Sequence, residues 1–203
     1  MSSIDLIGLF SVAGKTVLVT GGAKGIGAMI TRCLVAAGCR VLVVGRDHVA
    51  ANSLNHELAE YGGFEFISCD LSCNDQLADL LHVVQNSCSQ LDALINNSGI
   101  FHAPPLGSVT EQDWSAVMNL NLQSPFLLIQ GLCPLLEKAG TADDPARIIN
   151  IGSVGGYSRE KFRRCLCLWL QQGCHSSTHS HAGVGSMCAQ YQCQRDRTGF
   201  FPQ

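Results

Sequence analysis

Residues 17–27 read Val-Leu-Val-Thr-Gly-Gly-Ala-Lys-Gly-Ile-Gly. A short apolar run is followed at once by a glycine-rich turn, a pattern typical of a buried strand that leads into a helix. We expect Gly21 to permit the tight turn, Gly25 to let the backbone approach a ligand, and Gly27 to allow close helix–strand packing. The backbone N–H groups of the turn and the positive end of the helix dipole are then directed at the same place, where an anion can bind. The stretch therefore predicts a site for the pyrophosphate of a nucleotide.

The composition fits one soluble globular domain. The chain has 203 residues, of which 46% are hydrophobic, enough for a sizeable core. No apolar run approaches the ~18 residues that span a bilayer, and no basic region precedes the apolar residues near Met1, so we expect a cytoplasmic protein without membrane anchor or signal. The eleven cysteines are an odd number and are expected to be free thiols in a reducing compartment.

Hydrophobic periodicity predicts alternating strands and helices in the first 152 residues. This alternation favours an α/β fold, a Rossmann-like doubly wound parallel sheet. The expected strands are 15–20, 40–45, 64–68, 91–96 and 147–152. The expected helices are 25–38, 47–61, 73–89 and 111–137. We expect the sheet to be truncated after about the fifth strand, with the edge of that strand bare.

Polar residues follow the strands, at the edge where ligands bind in such sheets. Strand two ends without the acidic residue that would bind a ribose 2′-hydroxyl, and Arg46 follows it. Arg46 and Lys24 can instead supply the cations that a 2′-phosphate needs, which favours NADP over NAD. The alternative is that Arg46 is a solvated surface charge. Asp70, after strand three, is placed to accept from the exocyclic amine of an adenine.

The motifs resemble those of the short-chain dehydrogenase/reductase family over residues 10–158. The glycines have the spacing Gly-x-x-x-Gly-x-Gly, and residues 96–99 read Asn-Asn-Ser-Gly, close to the family's Asn-Asn-Ala-Gly. The resemblance implies a Rossmann fold, an NADP(H) cofactor and oxidoreductase activity. The residues expected to bind the cofactor are Gly21, Lys24, Gly25, Ile26, Gly27, Arg46, Asp70, Leu71, Asn97, Ser98 and Gly99.

The resemblance also implies a catalytic group of Asn, Ser, Tyr and Lys. Asn121 falls at the position of the family's Asn, which anchors a water in a proton relay, and Asn119 is its competitor. Ser153 matches the Ser that hydrogen-bonds the substrate oxygen, a helix cap or turn being the alternative. Tyr-x-x-x-Lys should follow about 13–15 residues later. Tyr157 and Lys161 fit the bare pattern but come too early for a helix to reach the cofactor.

The sequence after Ser158 is explained by a change of reading frame. With each codon started one base later and synonymous codons chosen freely, residues 165–175 can be read as Ala-Tyr-Ala-Tyr-Gly-Cys-Ser-Lys-Ala-Ala-Ile, which contains Tyr-x-x-x-Lys. Residues 190–199 can be read as Asn-Ile-Asn-Val-Asn-Ala-Ile-Ala-Pro-Gly, the family's sixth strand and turn. We therefore interpret residues 1–158 as the NADP-binding domain and residues 159–203 as an aberrant tail, shifted near codons 158–164.

Within the family, residues 144–156 resemble the 3-oxoacyl-[acyl-carrier-protein] reductases of the rhamnolipid-biosynthesis type. This implies a 3-oxoacyl thioester substrate, small or carrier-bound. A sugar, polyol or steroid reductase and an inactive cofactor-binding truncation are the alternatives. The Cys and His residues of the tail lack the usual spacing of zinc ligands, so we expect no metal site there. The tail is basic but has no nucleic-acid-binding motif, so we expect no nucleic-acid partner. The family commonly forms homotetramers, but this chain's oligomeric state stays open.

Overall fold

Six strands form a single sheet in a computed structural model, which describes residues 11–102, 104–152 and 188–193. Each predicted strand is present with its ends shifted by two residues or fewer. The strands are β1 (Thr16–Thr20), β2 (Arg40–Gly45), β3 (Glu65–Ser68), β4 (Ala93–Asn96), β5 (Ala146–Ile151) and β6 (Cys188–Cys193).

The sheet order is β3-β2-β1-β4-β5-β6. The first five strands are parallel: Val17 on β1 lies opposite Val41 on β2 on one side and Ala93 on β4 on the other. The chain moves outward in one direction from β1 to β3 and then crosses back to β4. Crevices for ligands form at such a switch point, beyond the carboxyl ends of the strands. The predicted Rossmann-like, doubly wound sheet is confirmed.

The connections between the parallel strands are helical, as right-handed crossovers require. The α-helices are α1 (Gly25–Ala36), α2 (His48–Glu57), α3 (Asn74–Ser87), α4 (Glu111–Met118) and α5 (Ser124–Ala139). A π-helix, Asn119–Gln123, joins α4 to α5, and short 3₁₀ turns span Ala59–Tyr61 and Leu106–Ser108.

Two apolar layers cover the two faces of the sheet. On one face the strands pack against α3 and α5, and on the other against α1 and α2. The strands β1 and β2 contribute alternate residues to the two layers, so Leu18 and Leu42 lie in the first and Val19 and Val43 in the second, all fully buried. Burial on both faces explains why these strands are continuous apolar runs.

Two features differ from the sequence-based predictions. The predicted helix 111–137 is interrupted by the π-helix at Asn119–Gln123, a single wide turn of a kind that helix propensity and hydrophobic periodicity do not distinguish from an α-helical turn. The expected bare edge of β5 is also wrong. The strand β6 pairs with β5 in antiparallel register, with Ile148 opposite Tyr191, and so covers the backbone donors and acceptors of that edge.

Candidate functional site

The glycine turn after β1 has the geometry that its sequence predicts. Gly21 and Gly25 adopt φ values of 65° and 52°, which favour glycine. A Cβ on Gly27 would lie 2.1 Å from the carbonyl oxygen of Gly21, whereas a Cβ on Gly25 would meet nothing within 4 Å. Gly27 therefore allows α1 to pack against the turn. Gly25 leaves open space at the first residue of α1, where an anion can approach backbone N–H groups.

The turn after β4 is fastened to the glycine turn by Thr20. The Thr20 Oγ1, which is buried, accepts hydrogen bonds from the backbone N–H groups of Asn97 (3.0 Å) and Ser98 (2.9 Å). The side-chain amide of Asn97 donates to the Thr20 carbonyl (3.0 Å). The sequence analysis did not assign Thr20 a role, although a Thr directly after the aliphatic run 17–19 was a usable signal.

A cleft of about 750 Å³ opens at this edge of the sheet. Nine of the eleven residues predicted to bind the cofactor line it: Gly21, Lys24, Gly25, Arg46, Asp70, Leu71, Asn97, Ser98 and Gly99. Ile26 and Gly27 do not line it, since Ile26 is 61% exposed and Gly27 is buried against the turn. The lining residues that the sequence analysis missed are Gly45, Asp47, His48, Val49, Cys69, Ile100 and Leu120.

Two ion pairs stand in the cleft. The Arg46 guanidinium lies 3.2 Å from the Asp70 carboxylate, and the Lys24 ammonium contacts the Asp47 carboxylate. The sequence predicted that Lys24 and Arg46 act together on a phosphate. In the structure each has a carboxylate partner, and the four formal charges cancel.

Both carboxylates have lowered pKa values. The pKa of Asp70 is lowered first by the Ser72 hydroxyl and also by the Ser72 N–H and by Arg46. The pKa of Asp47 is lowered first by the N–H of Ala50 and then by Lys24. Both groups are therefore ionised at neutral pH.

Asn121 is held by the backbone of the loop after β4. Its amide nitrogen donates to the Ile100 carbonyl and its amide oxygen accepts from the Ile100 N–H, both at 2.8 Å. Asn121 is buried within the π-helix, and its competitor Asn119 has its carbonyl bonded by the N–H of Ser124. Ser153, Tyr157 and Lys161 lie outside the described residues.

Ser124 links the π-helix to the nucleotide cleft. Its hydroxyl, on a side chain that is buried, contacts the Leu71 carbonyl and lies 2.8 Å from the Asn119 carbonyl. Leu71 lines the cleft, so this hydroxyl connects the turn after β3 with the segment that carries Asn121. The sequence analysis did not identify Ser124, because it placed this serine in the interior of the predicted helix 111–137, and the helix start at Ser124 appears only in the structure.

The thiols at the site are not poised for nucleophilic chemistry. Burial raises the pKa of Cys69, which lines the cleft, to about 11, so the reactive thiolate is scarce at neutral pH. Free thiols are found in the described part of the chain at Cys33, Cys39, Cys69, Cys73 and Cys88. Among the described residues, no three His, Cys, Asp or Glu side chains cluster as metal ligands. In that same part of the chain no helix combines the length and hydropathy needed to cross a membrane.

Comparison with known proteins identifies the family. The family model of the short chain dehydrogenases matches residues 15–164, and the chain therefore belongs to this family. It is 42% identical over 149 residues to the rhamnolipids biosynthesis 3-oxoacyl-[acyl-carrier-protein] reductase of Pseudomonas aeruginosa, covering 73% of this chain and 58% of that protein. It is 35% identical over 148 residues to the 2-dehydro-3-deoxy-D-gluconate 5-dehydrogenase of Bacillus subtilis, covering 71% of this chain and 55% of that protein.

A solved structure agrees with the sequence relatives. The Pseudomonas aeruginosa RhlG/NADP active-site complex superimposes with a TM-score of 0.77 and 37% identity, over 84% of this chain and 66% of that one. The present chain thus spans little more than half the length of the two curated relatives. The fold and the family are shared.

Proposed function

We propose that the protein is an NADPH-dependent oxidoreductase that reduces a 3-oxoacyl thioester to the 3-hydroxyacyl form. The observation that carries the cofactor assignment is the cleft wall after β2, where Arg46 stands and no acidic residue ends the strand. A guanidinium there suits a 2′-phosphate, whereas NAD specificity needs a carboxylate for the 2′-hydroxyl. The names of the Pseudomonas aeruginosa relatives, a 3-oxoacyl reductase and an NADP complex, support both parts.

The residues of the cleft fit the parts of this dinucleotide. Gly21 and Gly25 offer open backbone at the start of α1 for the pyrophosphate. Lys24 and Arg46 take the 2′-phosphate, and Asp70 with Leu71 takes the adenine. Residues 97–99 close the cleft on the side of β4, and Ile26 and Gly27 support the turn. When bound, the nicotinamide supplies hydride to the substrate carbonyl.

For catalysis we propose Asn121 and Ser153. The paired hydrogen bonds between Asn121 and Ile100 fix this turn of the π-helix beside the cleft, which suits a group that positions a proton relay. Ser153 follows the strand β5 by two residues and would hydrogen-bond the substrate oxygen, where charge develops during reduction.

We propose further that residues 1–158 form the NADP-binding domain and that residues 159–203 are translated out of frame. The family match supports this division, since it ends at residue 164, within the interval of the inferred shift. The chain with this tail lacks the Tyr and Lys at the family spacing and is expected to be inactive. Sequencing the coding DNA across codons 150–203 is the direct test: nucleotides that do not encode Tyr-x-x-x-Lys in the shifted frame would overturn the proposal.

The cofactor assignment is tested by titrating the 203-residue chain with NADP⁺ and NAD⁺. We expect tighter binding of NADP⁺, and we expect Arg46→Gln to weaken NADP⁺ binding by about tenfold while leaving NAD⁺ unchanged. Arg32→Gln is the matched control, because Arg32 is also an exposed, ion-paired arginine, on α1 away from the cleft. Equal affinity for the two nucleotides in wild type and in Arg46→Gln would refute the assignment.

The substrate assignment is tested with 3-oxoacyl thioesters of graded chain length and NADPH. The frame-restored protein should consume NADPH, and the 203-residue chain should be slower by ~10²–10⁴-fold, the usual contribution of positioned acid–base groups. Ser153→Ala in the restored protein should lower kcat with little change in cofactor affinity. Turnover by the 203-residue chain at the restored rate would contradict the proposal.

A sugar-acid dehydrogenase is the second candidate. The similarity to the Bacillus subtilis 2-dehydro-3-deoxy-D-gluconate 5-dehydrogenase favours it, and the cofactor motifs are compatible with both chemistries. A panel that pairs 3-oxoacyl thioesters with keto sugar acids separates the two by their ratio of kcat/KM. A restored protein that binds NADPH and reduces neither class would indicate a cofactor-binding protein without this activity.

A further inference from the structure

Asp47 lines the cleft but has no role in the cofactor binding proposed above. Its carboxylate has two different partners: Oδ1 accepts from the N–H of Ala50 at 2.8 Å, and Oδ2 contacts the Lys24 ammonium. The first contact makes Asp47 the N-cap of α2. The second joins the start of α2 to the residue that precedes α1. Asp47 itself lines the cleft, between Arg46 and His48.

The two partners differ in how firmly they are held. The N-cap bond ties the Asp47 carboxylate to the backbone of α2, so it stays in place when a ligand arrives. The Lys24 side chain is 67% exposed and flexible. Exposed ion pairs are weak in water because both charges remain hydrated. A phosphate can therefore draw Lys24 away, whereas the negative charge of Asp47 remains at the cleft wall.

From this asymmetry, and on the proposed function that the cleft takes NADP(H), we propose that Asp47 is a specificity-determining residue that lowers the preference for the 2′-phosphorylated cofactor. It does so in two ways: it competes with the phosphate for Lys24, and its fixed charge repels the phosphate dianion. NAD carries a neutral 2′-hydroxyl and meets neither effect. The discrimination between the two cofactors is thus set by the balance of Lys24 and Arg46 against Asp47.

The Asp47→Asn substitution separates the effect of the negative charge of Asp47 from its role as the N-cap of α2. Asn is as good an N-cap as Asp, so α2 keeps its start while the carboxylate is lost. The matched control is Glu57→Gln. Glu57 also forms an exposed ion pair between the same two helices, through Arg32 on α1, but it does not line the cleft. Both variants change the net charge of the chain by the same amount.

The experiment is calorimetric titration of the 203-residue wild type and both variants with NADP⁺ and with NAD⁺, at low and at high salt. We expect Asp47→Asn to tighten NADP⁺ binding by about three- to tenfold at low salt and NAD⁺ binding by less than about twofold. High salt should reduce the gain, because screening weakens exposed charges. Glu57→Gln should change neither affinity by more than about twofold.

The outcomes separate this inference from the proposed function. If wild type prefers NADP⁺ but Asp47→Asn leaves that preference unchanged or weakens it, the role of Asp47 is wrong and the cofactor assignment stands. If Glu57→Gln gives the same gain as Asp47→Asn, the effect is one of net charge and the inference is overturned. If wild type binds neither nucleotide, both the cofactor assignment and the inference fail. Unfolding of Asp47→Asn in urea at the wild-type midpoint verifies the cap.

Discussion

The two ends of the same sheet carry charged clusters that are built differently. At the amino end, Asp92 accepts a hydrogen bond from the backbone N–H of Thr16 at 2.8 Å and lies 3.6 Å from the Lys15 ammonium. Lys15 also contacts Asp144, and Asp144 contacts Arg147 at 3.0 Å. The side chains of Lys15 and Asp92 are only 23% and 13% exposed. This cluster is continuous and is fastened to the start of β1.

At the carboxyl end the charges form two pairs, Lys24 with Asp47 and Arg46 with Asp70. Both cations are 67% exposed, and the pairs join turns rather than strand backbones. A connected, half-buried network stabilises the position of strands. Exposed ion pairs can give up a charged side chain to a ligand, because opening such a pair costs little free energy. The charges at the amino end therefore stabilise the sheet, whereas those at the carboxyl end are accessible to a ligand.

The largest effect is expected from Gly27→Ala at the carboxyl end. The new Cβ would lie 2.1 Å from the Gly21 carbonyl oxygen, so the turn must move. We expect a loss of about 3 kcal/mol of unfolding free energy and loss of nucleotide binding, measured by urea unfolding and by titration. Gly107→Ala is the control, since a Cβ there meets nothing within 4 Å. A Gly27→Ala protein that binds NADP⁺ normally would contradict the proposed packing.

A smaller effect is expected from Asp92→Ala at the amino end. The Thr16 N–H would lose its acceptor, which should cost about 1–3 kcal/mol in urea unfolding. Nucleotide affinity should not change, because Asp92 lies at the opposite end of β1 from the cleft. Asp92→Asn keeps an acceptor oxygen and should recover part of the loss. A change in NADP⁺ affinity in Asp92→Ala would show that the two ends are not independent.

Ser124→Ala tests a buried contact near the cleft. Removing the hydroxyl deprives the Leu71 carbonyl of its donor, and we expect a cost of about 1 kcal/mol in unfolding free energy. Ser87→Ala is the matched control: its hydroxyl donates to the Val83 carbonyl at 2.9 Å on an exposed part of α3, where water can replace it. Equal costs in the two variants would remove the case that burial makes Ser124 important.

The smallest effect is in the response to acid. The pKa of Asp70 is lowered chiefly by Ser72, and that of Asp144 chiefly by Lys15. A carboxyl whose pKa is lower in the folded than in the unfolded chain adds stability above its unfolded value, about 3.9, and loses it as the pH falls through the folded value. Unfolding free energy should therefore decrease with acidification below about pH 4.

Two variants show how much of this acid response comes from the carboxyl end of the sheet, at Asp70, and how much from the amino end, at Asp144. Asp70→Asn and Asp144→Asn should each flatten the acid slope of the unfolding free energy, measured by urea titration at a series of pH values. A slope that is unchanged in both variants would mean that these carboxylates do not carry the acid response.

Much of the fold was predictable because its signals are local. The apolar runs of β1 and β2 and the glycine turn between β1 and α1 specify a strand–turn–helix unit through periodicity and turn chemistry. By the same rules, nine of the residues predicted to bind a cofactor line the cleft, since parallel strands bring the residues at their carboxyl ends to one edge.

The features that were missed depend on contacts between distant parts of the chain. The pairing of Lys24 with Asp47 joins two turns that periodicity treats separately. The antiparallel pairing of β6 with β5 links residues about 40 positions apart, and nothing in the alternation of residues 188–193 specifies a partner. The role of Ser124 needed the position of the Leu71 carbonyl, 53 residues away.

The π-helix makes this part of the chain sensitive to insertions and deletions. The extra residue in Asn119–Gln123 sets the rotation of α5 relative to α4. Deleting one codon in that segment would leave a continuous, well-formed α-helix, yet it would turn everything on one side of the deletion by roughly 100°. Asn121 could then no longer keep its two hydrogen bonds to Ile100 while the apolar face of α5 stays packed against the sheet. A substitution in this segment tests the role of one side chain, whereas an insertion or a deletion would test the helical register that orients α5 relative to α4.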